Sequence, residues 1–292
     1  SSNAGCRRTE RPVSSHRAAE PGRVADSVAF SRMATKWRPM GSANDEEVGP
    51  ATLGIVGEGA LADDVCETVE TVRGPASEVL AADPAAVVAL GEAALLSLVR
   101  EGVEVPILPI DAGPGYGGVA REAAGGAVAA LLGDEFETVR RTLLSVSVGG
   151  ERVGQALADV TLVTAEPARI SEYAVRSRDE EVSRFRADGV VVSTPTGSHG
   201  YGRSAGGPVV QPDTGVVGVV PVAPFAVNVD HWVLSAEQPV ELTVERDEGA
   251  VSLLLDDRRT RGVSPHTTVE VVADGAVELV RVPASPPFFD RA

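Results

Sequence analysis

The order of apolar segments between residues 50 and 133 limits the fold of this chain more than any other feature of the sequence. Strands are predicted there at residues 52–56, 85–90 and 105–110, and helices at residues 60–67, 93–100 and 119–132. Strands that alternate with helices form a parallel sheet with helices on its faces. We therefore expect an α/β nucleotide-binding domain at residues 50–135.

After Gly133 the pattern becomes strand-rich, with Gly, Pro and Asp between short apolar segments. Strands are predicted at residues 143–148, 156–164, 175–182, 189–193, 216–222, 240–245, 251–255 and 268–272. Apolar and polar residues alternate over 240–244, as in half-buried antiparallel strands. The predicted fold class is an N-terminal parallel-sheet α/β domain followed by an all-β, sandwich-like domain at residues 136–275. Residues 276–292 are predicted to return to the first domain.

The composition limits the partners of the protein. The formal net charge is −16, with 26 Lys and Arg against 42 Asp and Glu, and a negative chain repels nucleic acids and anionic membranes. A small phosphorylated ligand stays possible because backbone N–H groups or one Arg can bind it locally. Cys6 and Cys66 are too few for a disulfide framework, and no run reaches the about 18 to 20 apolar residues of a membrane span. We expect a cytoplasmic protein whose residues 1–49 form a disordered tail.

Two glycine-rich segments follow predicted strands. The first, residues 57–62, fits G-x-G-x-x-A, the turn of a dinucleotide-binding βαβ unit. That site needs an acid at the end of a strand about 20 residues further on, whereas Glu78 follows the loop-like pair Gly74-Pro75. An ordinary tight turn between strand and helix is therefore the favoured interpretation of this segment.

The second segment, residues 188–208, is more specific. It reads DGVVVSTPTGSHGYGRSAGGP, a buried strand that runs into a loop of hydroxyls and glycines. Glycines allow the backbone to approach a ligand closely, Tyr201 offers a stacking face, and Asp188 is an acceptor suited to ribose hydroxyls. This composition favours a nucleotide-binding loop over an ordinary connection between strands.

Residues 188–208 resemble the NAD kinase family, whose pattern is close to D-G-x-x-x-S-T-P-T-G-S-T-A-Y-x-x-S-A-G-G-P. The resemblance continues at residues 140–143, 221–234 and 288–291, and covers roughly residues 50–291. It implies transfer of the terminal phosphoryl group of ATP, or of inorganic polyphosphate in some members, to the 2′-hydroxyl of the adenosine ribose of NAD, which gives NADP. It also implies a site between two domains, Mg²⁺ or another divalent cation as cofactor, NAD and ATP as partners, and a homodimer or homotetramer.

The family's catalytic motif G-G-D-G-T is degenerate in this chain. Its position is taken by Leu90-Gly91-Glu92-Ala93-Ala94, so the resemblance gives Glu92 the role of the catalytic Asp, as proton acceptor or Mg²⁺ ligand, one methylene further out. The family's N-E pair, which holds the ribose and adenine of NAD, corresponds to Ala158-Asp159. The segment 111–117 replaces N-x-G-x-L-G-F and lacks its amide.

The resemblance and the motifs together give one set of candidate residues, with Glu92 as the catalytic residue and no metal ligand assigned. The predicted ligand-binding residues are Gly91, Asp159, Asp188, Thr196, Gly197, Ser198, His199, Gly200, Tyr201 and Ser204. Among them, Asp188 matches an aspartate on the nicotinamide side, and Tyr201 and Ser204 match residues around adenine. His199, where the family has Thr, either contacts a phosphate or acts as a base, or else only packs in the loop. The pair Asp256-Asp257 is interpreted as a charged turn.

Two hypotheses about function remain open. The first is an NAD kinase-like phosphotransferase that uses ATP and Mg²⁺. The second is a catalytically weakened relative that binds a nucleotide as a sensor or partner subunit, and the altered G-G-D-G-T motif is its motivation.

Overall fold

The computed structural model describes residues 52–59, 69–166 and 169–289. Outside these ranges lie the predicted tail at residues 1–49, the predicted helix at residues 60–67 and both cysteines. The end of the G-x-G-x-x-A segment and the last residues of the C-terminal resemblance lie outside them too.

The first part of the described chain is a parallel α/β layer. Its elements are β1 (Leu53–Gly57), β2 (Thr71–Arg73), α1 (Ala76–Ala81), β3 (Ala86–Leu90), α2 (Glu92–Arg100), β4 (Ile107–Ile110) and α3 (Ala124–Leu132), with strand order β2-β1-β3-β4. All five residues of β3 are buried, because α1 and α2 pack on one face of the sheet and α3 on the other. This layer confirms the predicted α/β class.

Two elements of this layer escaped the sequence prediction. Strand β2 is three residues long and only half-buried, so it has no apolar run. Gly74 and Pro75 lie in a loop, as expected, but Glu78 lies in α1, which begins directly after Pro75 as the N-cap. The helix predicted at residues 119–132 begins at Ala124, because Val119 pairs with Ile110 and a 3₁₀ turn follows it.

The second part consists of antiparallel strands. They are β5 (Glu137–Val148), β6 (Glu151–Ala156), β7 (Asp159–Thr164), β8 (Ser171–Ser177), β9 (Glu180–Ala187), β10 (Gly189–Ser193), β11 (Val216–Val222), β12 (Trp232–Ser235), β13 (Val240–Arg246), β14 (Val251–Leu255), β15 (Arg258–Val263) and β16 (Thr268–Arg281), with the short helix α4 (Tyr201–Ser204) after β10. The strand predicted at residues 175–182 was wrong. It is the tip of the β8–β9 hairpin, where Arg178 and Asp179 have positive φ angles of 53° and 63°.

Two sheets enclose the main core of this second part. One, in the order β12-β11-β10-β7-β14-β15, contains six described strands, and the other joins β16, β13, β8, β9, β5 and β6 to the parallel layer. Leu162, Leu253, Tyr173 and Leu242 are fully buried between the two sheets. The sandwich-like class is therefore confirmed.

The long strand β16 connects the two parts of the molecule. It pairs with β5 over most of its length and runs parallel to β4, where Leu279 lies opposite Ile107. Strands from both sides of residue 136 therefore share one sheet, and the division into domains at residues 135 and 275 stays a prediction. Across the described ranges, no helix has the length and apolar character needed to span a lipid bilayer.

Candidate functional site

A cavity of about 380 Å³ lies at the carboxyl ends of β3 and β4, where several loops of the two parts meet. The start of α2, the loop after β4, the β6–β7 connection, the loop after β10 and the β14–β15 turn all contribute to its wall. Its lining includes Glu92, Gly113, Gly115, Tyr116, Ala158, Asp159, Thr196, Gly197, His199, Gly200, Tyr201, Asp256 and Asp257. In open α/β sheets, ligands bind at this end of the strands.

The loop after β10 is fixed by close contacts of its main chain. A Cβ atom at Gly197 would overlap the carbonyl group of Ala158, and one at Gly115 would overlap the carbonyl oxygen of Thr196. The hydroxyl of Thr194 donates to the carbonyl of Leu157 at 2.7 Å and accepts from the N–H of Gly197 at 3.1 Å. Glycine is therefore required at residue 197 for packing, whatever ligand the cavity binds.

Asp256 holds the β6–β7 connection in place. Its carboxylate accepts hydrogen bonds from the backbone N–H groups of Leu157, Ala158 and Asp159, at 3.0, 2.7 and 3.1 Å. Burial raises the pKa of Asp256, and these three donors lower it. Asp256 and Asp257 form the β14–β15 turn, as predicted, but the contact of Asp256 with the β6–β7 connection was not foreseen. Its partners lie almost 100 residues away in sequence, so no local signal could have revealed the contact.

Asp159 is a buried carboxyl at the start of β7, and the hydroxyl of Thr161 donates to it at 3.1 Å. Burial raises the pKa of Asp159 to about 7, and the negative charges of Asp256 and Glu92 act in the same direction. Perturbed carboxyls in clefts are common in active sites. A carboxyl with this pKa exchanges its proton near neutral pH, and it can hydrogen-bond a ligand as donor or acceptor.

Glu92 is the first residue of α2 and faces the same cavity. The Tyr116 hydroxyl, from the 3₁₀ turn after β4, donates to Glu92 Oε1 at 2.8 Å. Burial, with the nearby Glu92 charge, raises the pKa of Tyr116 far above its ordinary value, so the phenol stays protonated and keeps donating. The altered loop at residues 111–117 was recognised from the sequence, but the contact of Tyr116 with Glu92 was not.

His199 packs against the C-terminal segment. Its ring meets Phe288 edge to face, with centroids 4.5 Å apart, and Arg141 lies over Phe288 at 5.5 Å. Burial, then the charges of Arg203 and Arg141, lower the pKa of His199, so the imidazole is neutral at neutral pH. A cationic contact with phosphate is therefore disfavoured. Within the described chain, His199 Nε2 is buried without a hydrogen-bond partner.

The predicted ligand residues fall into two groups. Asp159, Thr196, Gly197, His199, Gly200 and Tyr201 line the cavity together with Glu92, and Gly91 is the N-cap immediately before Glu92, with a φ of 91°. Burial raises the pKa of Tyr201, and the nearby charges of Asp159 and Asp188 raise it further.

The other three predicted residues lie outside the cavity lining. The hydroxyl of Ser198 is buried, donates to the carbonyl of Pro195 at 2.6 Å and accepts from the N–H of Val210 at 3.0 Å. Ser204 is exposed and donates to the carbonyl of Gly200. Asp188 precedes β10, at the opposite end of that strand from the Thr194–Gly197 turn. Motif spacing does not show which way a side chain points, and the assignment of Ser198 and Ser204 as ligand contacts stays a prediction.

The cavity was also tested as a metal site. In the described part of the chain, no three Asp, Glu, His or Cys side chains are placed to hold a metal ion. Mg²⁺ commonly keeps several waters and binds through one or two carboxylates and the phosphates of a substrate. These residues therefore fit an ion that arrives with a polyphosphate ligand, and not a resident metal centre.

The fold and the cavity together define a class of protein: a parallel α/β layer joined to a β sandwich, with a glycine-rich, carboxylate-lined cleft between them. Residues 157–282 match the model of the ATP-NAD kinase C-terminal domain. The NAD kinase of Methanoculleus marisnigri is 33% identical over 198 residues, which are 68% of this chain and 73% of that protein. The chain belongs to the NAD kinase family.

Two further comparisons agree with this assignment. The NAD kinase of Methanosarcina acetivorans is 32% identical over 136 residues, 47% of this chain and 50% of that protein, so the chain matches only half of this relative's length. The crystal structure of an NAD kinase from Archaeoglobus fulgidus in complex with ATP superposes with a TM-score of 0.66 at 23% identity, covering 80% of this chain and 94% of that one. The structural likeness supports the fold.

The close approach of residue 197 to the β6–β7 connection predicts the result of a substitution. We expect Gly197→Ala to destabilise the protein by about 1–3 kcal/mol, because the added methyl must displace backbone and cannot simply move a side chain aside. Urea unfolding measures this change. Gly126→Ala, in α3 with open space around its Cβ position, is the matched control and should stabilise the protein by about 0.5–1 kcal/mol. Equal effects of the two substitutions would contradict the packing argument.

The raised pKa of Asp159 predicts a pH-dependent stability. Between pH 3.8 and about 7 the folded state holds a proton on Asp159 that the unfolded state has released, so this group stabilises the fold least at high pH. The loss amounts to up to about 4 kcal/mol once the pH exceeds the folded pKa. We expect Asp159→Asn to gain stability relative to the parent as the pH rises from 5 to 8, measured by urea unfolding at each pH. Asp134→Asn, at an exposed turn, controls for the loss of one carboxylate. A constant difference between parent and Asp159→Asn would refute the assignment.

Proposed function

We propose that this protein is an NAD kinase, which transfers the terminal phosphoryl group of ATP to the 2′-hydroxyl of the adenosine ribose of NAD. Family membership supports this activity, since the relatives described above are NAD kinases. The observation that carries the proposal is the meeting of Glu92 and Asp159 in one cavity beside the glycine-rich loop. A carboxylate therefore stands at each of the two positions where the family pattern has an acid.

In this mechanism Glu92 is the general base. The ribose 2′-oxygen attacks the γ-phosphorus as its proton passes to Glu92, and the bond from that phosphorus to the β–γ bridging oxygen breaks to release ADP. Such transfers depend mainly on positioning and charge neutralisation. Asp159 orients the ribose by hydrogen bonding, and the main chain at Thr196, Gly197 and Gly200 approaches the nucleotide. A divalent cation bound by the ATP phosphates and by a carboxylate of the cavity would neutralise phosphate charge.

The altered G-G-D-G-T motif still offers donors for phosphate. Gly91 keeps a φ of 91° and precedes α2, whose first turn has no side-chain cap. The first N–H groups of a helix have no partner within it, and they favour an anion. Ala93 and Ala94 remove a glycine and a hydroxyl, so this chain relies on the helix N-terminus more than the family pattern does.

The alternative is a catalytically weakened relative that binds NAD or ATP without turnover. The loss of the family's threonine and two glycines is the observation in its favour. One assay separates the two: purified protein is incubated with NAD, ATP and Mg²⁺ at low and high salt, and NADP is measured. NADP formation supports the kinase. Micromolar binding of NAD or ATP without NADP formation supports the alternative and refutes the proposed kinase activity.

We expect Glu92→Gln to lower kcat at least about 100-fold, because the amide cannot accept the hydroxyl proton. The KM for NAD should change little, since the side chain keeps its size. Glu101→Gln, on the exposed residue after α2, is the matched control and should keep the parent rate. An unaffected rate in Glu92→Gln would show that the base lies elsewhere.

The Tyr116–Glu92 hydrogen bond gives a second kinetic prediction. Tyr116→Phe keeps the ring and removes the donor that orients the carboxylate, so we expect kcat to fall about 10- to 100-fold with KM nearly unchanged. Tyr173→Phe removes the hydroxyl of another buried tyrosine, whose partners, the Thr164 hydroxyl on β7 and the Asp188 carbonyl, lie outside the cavity lining, and should keep kcat. A fall in both variants would indicate a general loss of packing instead of positioning.

We further propose that the kinase is a cytoplasmic homodimer or homotetramer. The exposed side chains of Phe225 and Val227, which are 74% and 100% accessible, support an assembled state because they lie close together in the connection between β11 and β12. Large apolar side chains clustered at a surface commonly mark an interface. Sedimentation analysis of the intact chain tests the assembly, and a monomer at micromolar concentration would contradict it.

A further inference from the structure

A second cavity, of about 450 Å³, lies on the other side of the β14–β15 turn. Its wall is built by the end of α2, by β6 and by the first residues of β15. Four arginines from these elements line it: Arg100, Arg152, Arg258 and Arg259. We name this cavity the arginine cleft. It contains four positive charges in a chain whose net charge is −16.

The charges of the arginine cleft are only partly neutralised. Arg100 is paired with Asp257 at 2.7 Å, and Arg152 reaches Asp274 only at 3.5 Å, with both side chains more than half exposed. Within the described chain, Arg258 and Arg259 have no carboxylate within ion-pair distance. Exposed pairs at such distances contribute little, so the cleft has an excess of positive charge.

Asp256 is the only acidic residue in the wall of the cleft. Its carboxylate already accepts three backbone N–H groups from the β6–β7 connection. Those donors stabilise the carboxylate, and its single negative charge is fewer than the four positive charges of the cleft. Arg258 and Arg259 therefore lack a paired carboxylate within the described protein.

The shape and donors of the cleft fit a phosphate compound. Guanidinium groups present several N–H donors in a planar fork that suits phosphate oxygens, and the Thr260 hydroxyl adds a neutral donor on the same wall. The cavity volume lies within the range of about 300–1,000 Å³ typical of small-molecule sites.

We propose that the arginine cleft is a binding site for a compact anion with several phosphate groups, separate from the cavity that contains Glu92. The two sites share Asp256, which binds the backbone that carries Asp159. The proposal concerns binding alone and does not depend on the proposed kinase activity.

Isothermal titration calorimetry with inorganic triphosphate, at low salt and without NAD or ATP, tests the proposal on the full chain. The double variant Arg258→Gln/Arg259→Gln should weaken triphosphate binding at least tenfold. Arg281→Gln is the matched control, because this exposed arginine on β16 is paired with Glu137 and lies outside the cleft. Its affinity should stay within twofold of the parent.

Three results would overturn the proposal: no triphosphate binding by the parent, affinity unchanged in the double variant, or equal losses in the double variant and the control. Unchanged affinity in the double variant would place the anion in the Glu92 cavity. Citrate, a carboxylate trianion, tests the ligand class, and binding as tight as that of triphosphate would contradict a phosphate site. If the double variant does not fold, Arg152→Gln on β6 replaces it, with the same expected loss.

Discussion

The hydrogen bonds from three backbone N–H groups to the Asp256 carboxylate determine the geometry of the whole site. They fix the β6–β7 connection. A carbonyl group of that connection accepts a hydrogen bond from the Thr194 hydroxyl, and its backbone packs closely against Gly197. A buried N–H group that loses its acceptor costs about 1–3 kcal/mol, so this turn cannot be replaced by an arbitrary one. The same carboxylate helps to raise the pKa of Asp159. One interaction thus sets both the shape and the electrostatics of the cavity.

The hydrogen bond between Tyr116 and Glu92 accompanies the change in the catalytic motif. Where the family pattern has Asp, this chain has Glu92, whose longer side chain has one more rotatable bond and is harder to fix. The Tyr116 hydroxyl donates to that carboxylate from a loop that also departs from the family pattern. The glycine at residue 115 brings this loop against Thr196. The changes at residues 92 and 116 therefore belong together, because the second restrains the side chain that the first lengthens.

The parts of the fold that could be predicted from the sequence are those with local signals. Strands β3 and β10 are buried on both faces, so their apolar runs are continuous and their bounds were predicted to within one residue. Strand β2 is short and half-buried and gives no such signal. The glycine-rich loop that lines the cavity was recognised in the sequence because its glycines and hydroxyls are consecutive. Asp256 and Tyr116 were missed, because their partners are brought close only by the packing of separate strands and turns.

The net negative charge of the chain opposes the binding of a polyphosphate, and features of the cavity reduce this repulsion in part. Glu92, Asp159 and Asp256 line one cavity, and three full negative charges there would oppose a polyphosphate. Asp159, with a pKa of about 7, is partly protonated at neutral pH, and the carboxylate of Asp256 is stabilised by three N–H donors. The remaining negative charge of the cavity includes that of Glu92, the proposed proton acceptor. An approaching phosphate can be stabilised by the N–H groups at the start of α2 and by its own Mg²⁺. Raising the pH above 7 ionises Asp159 and removes part of this compensation, so the same buried carboxyl that costs stability also limits the affinity for a polyanion.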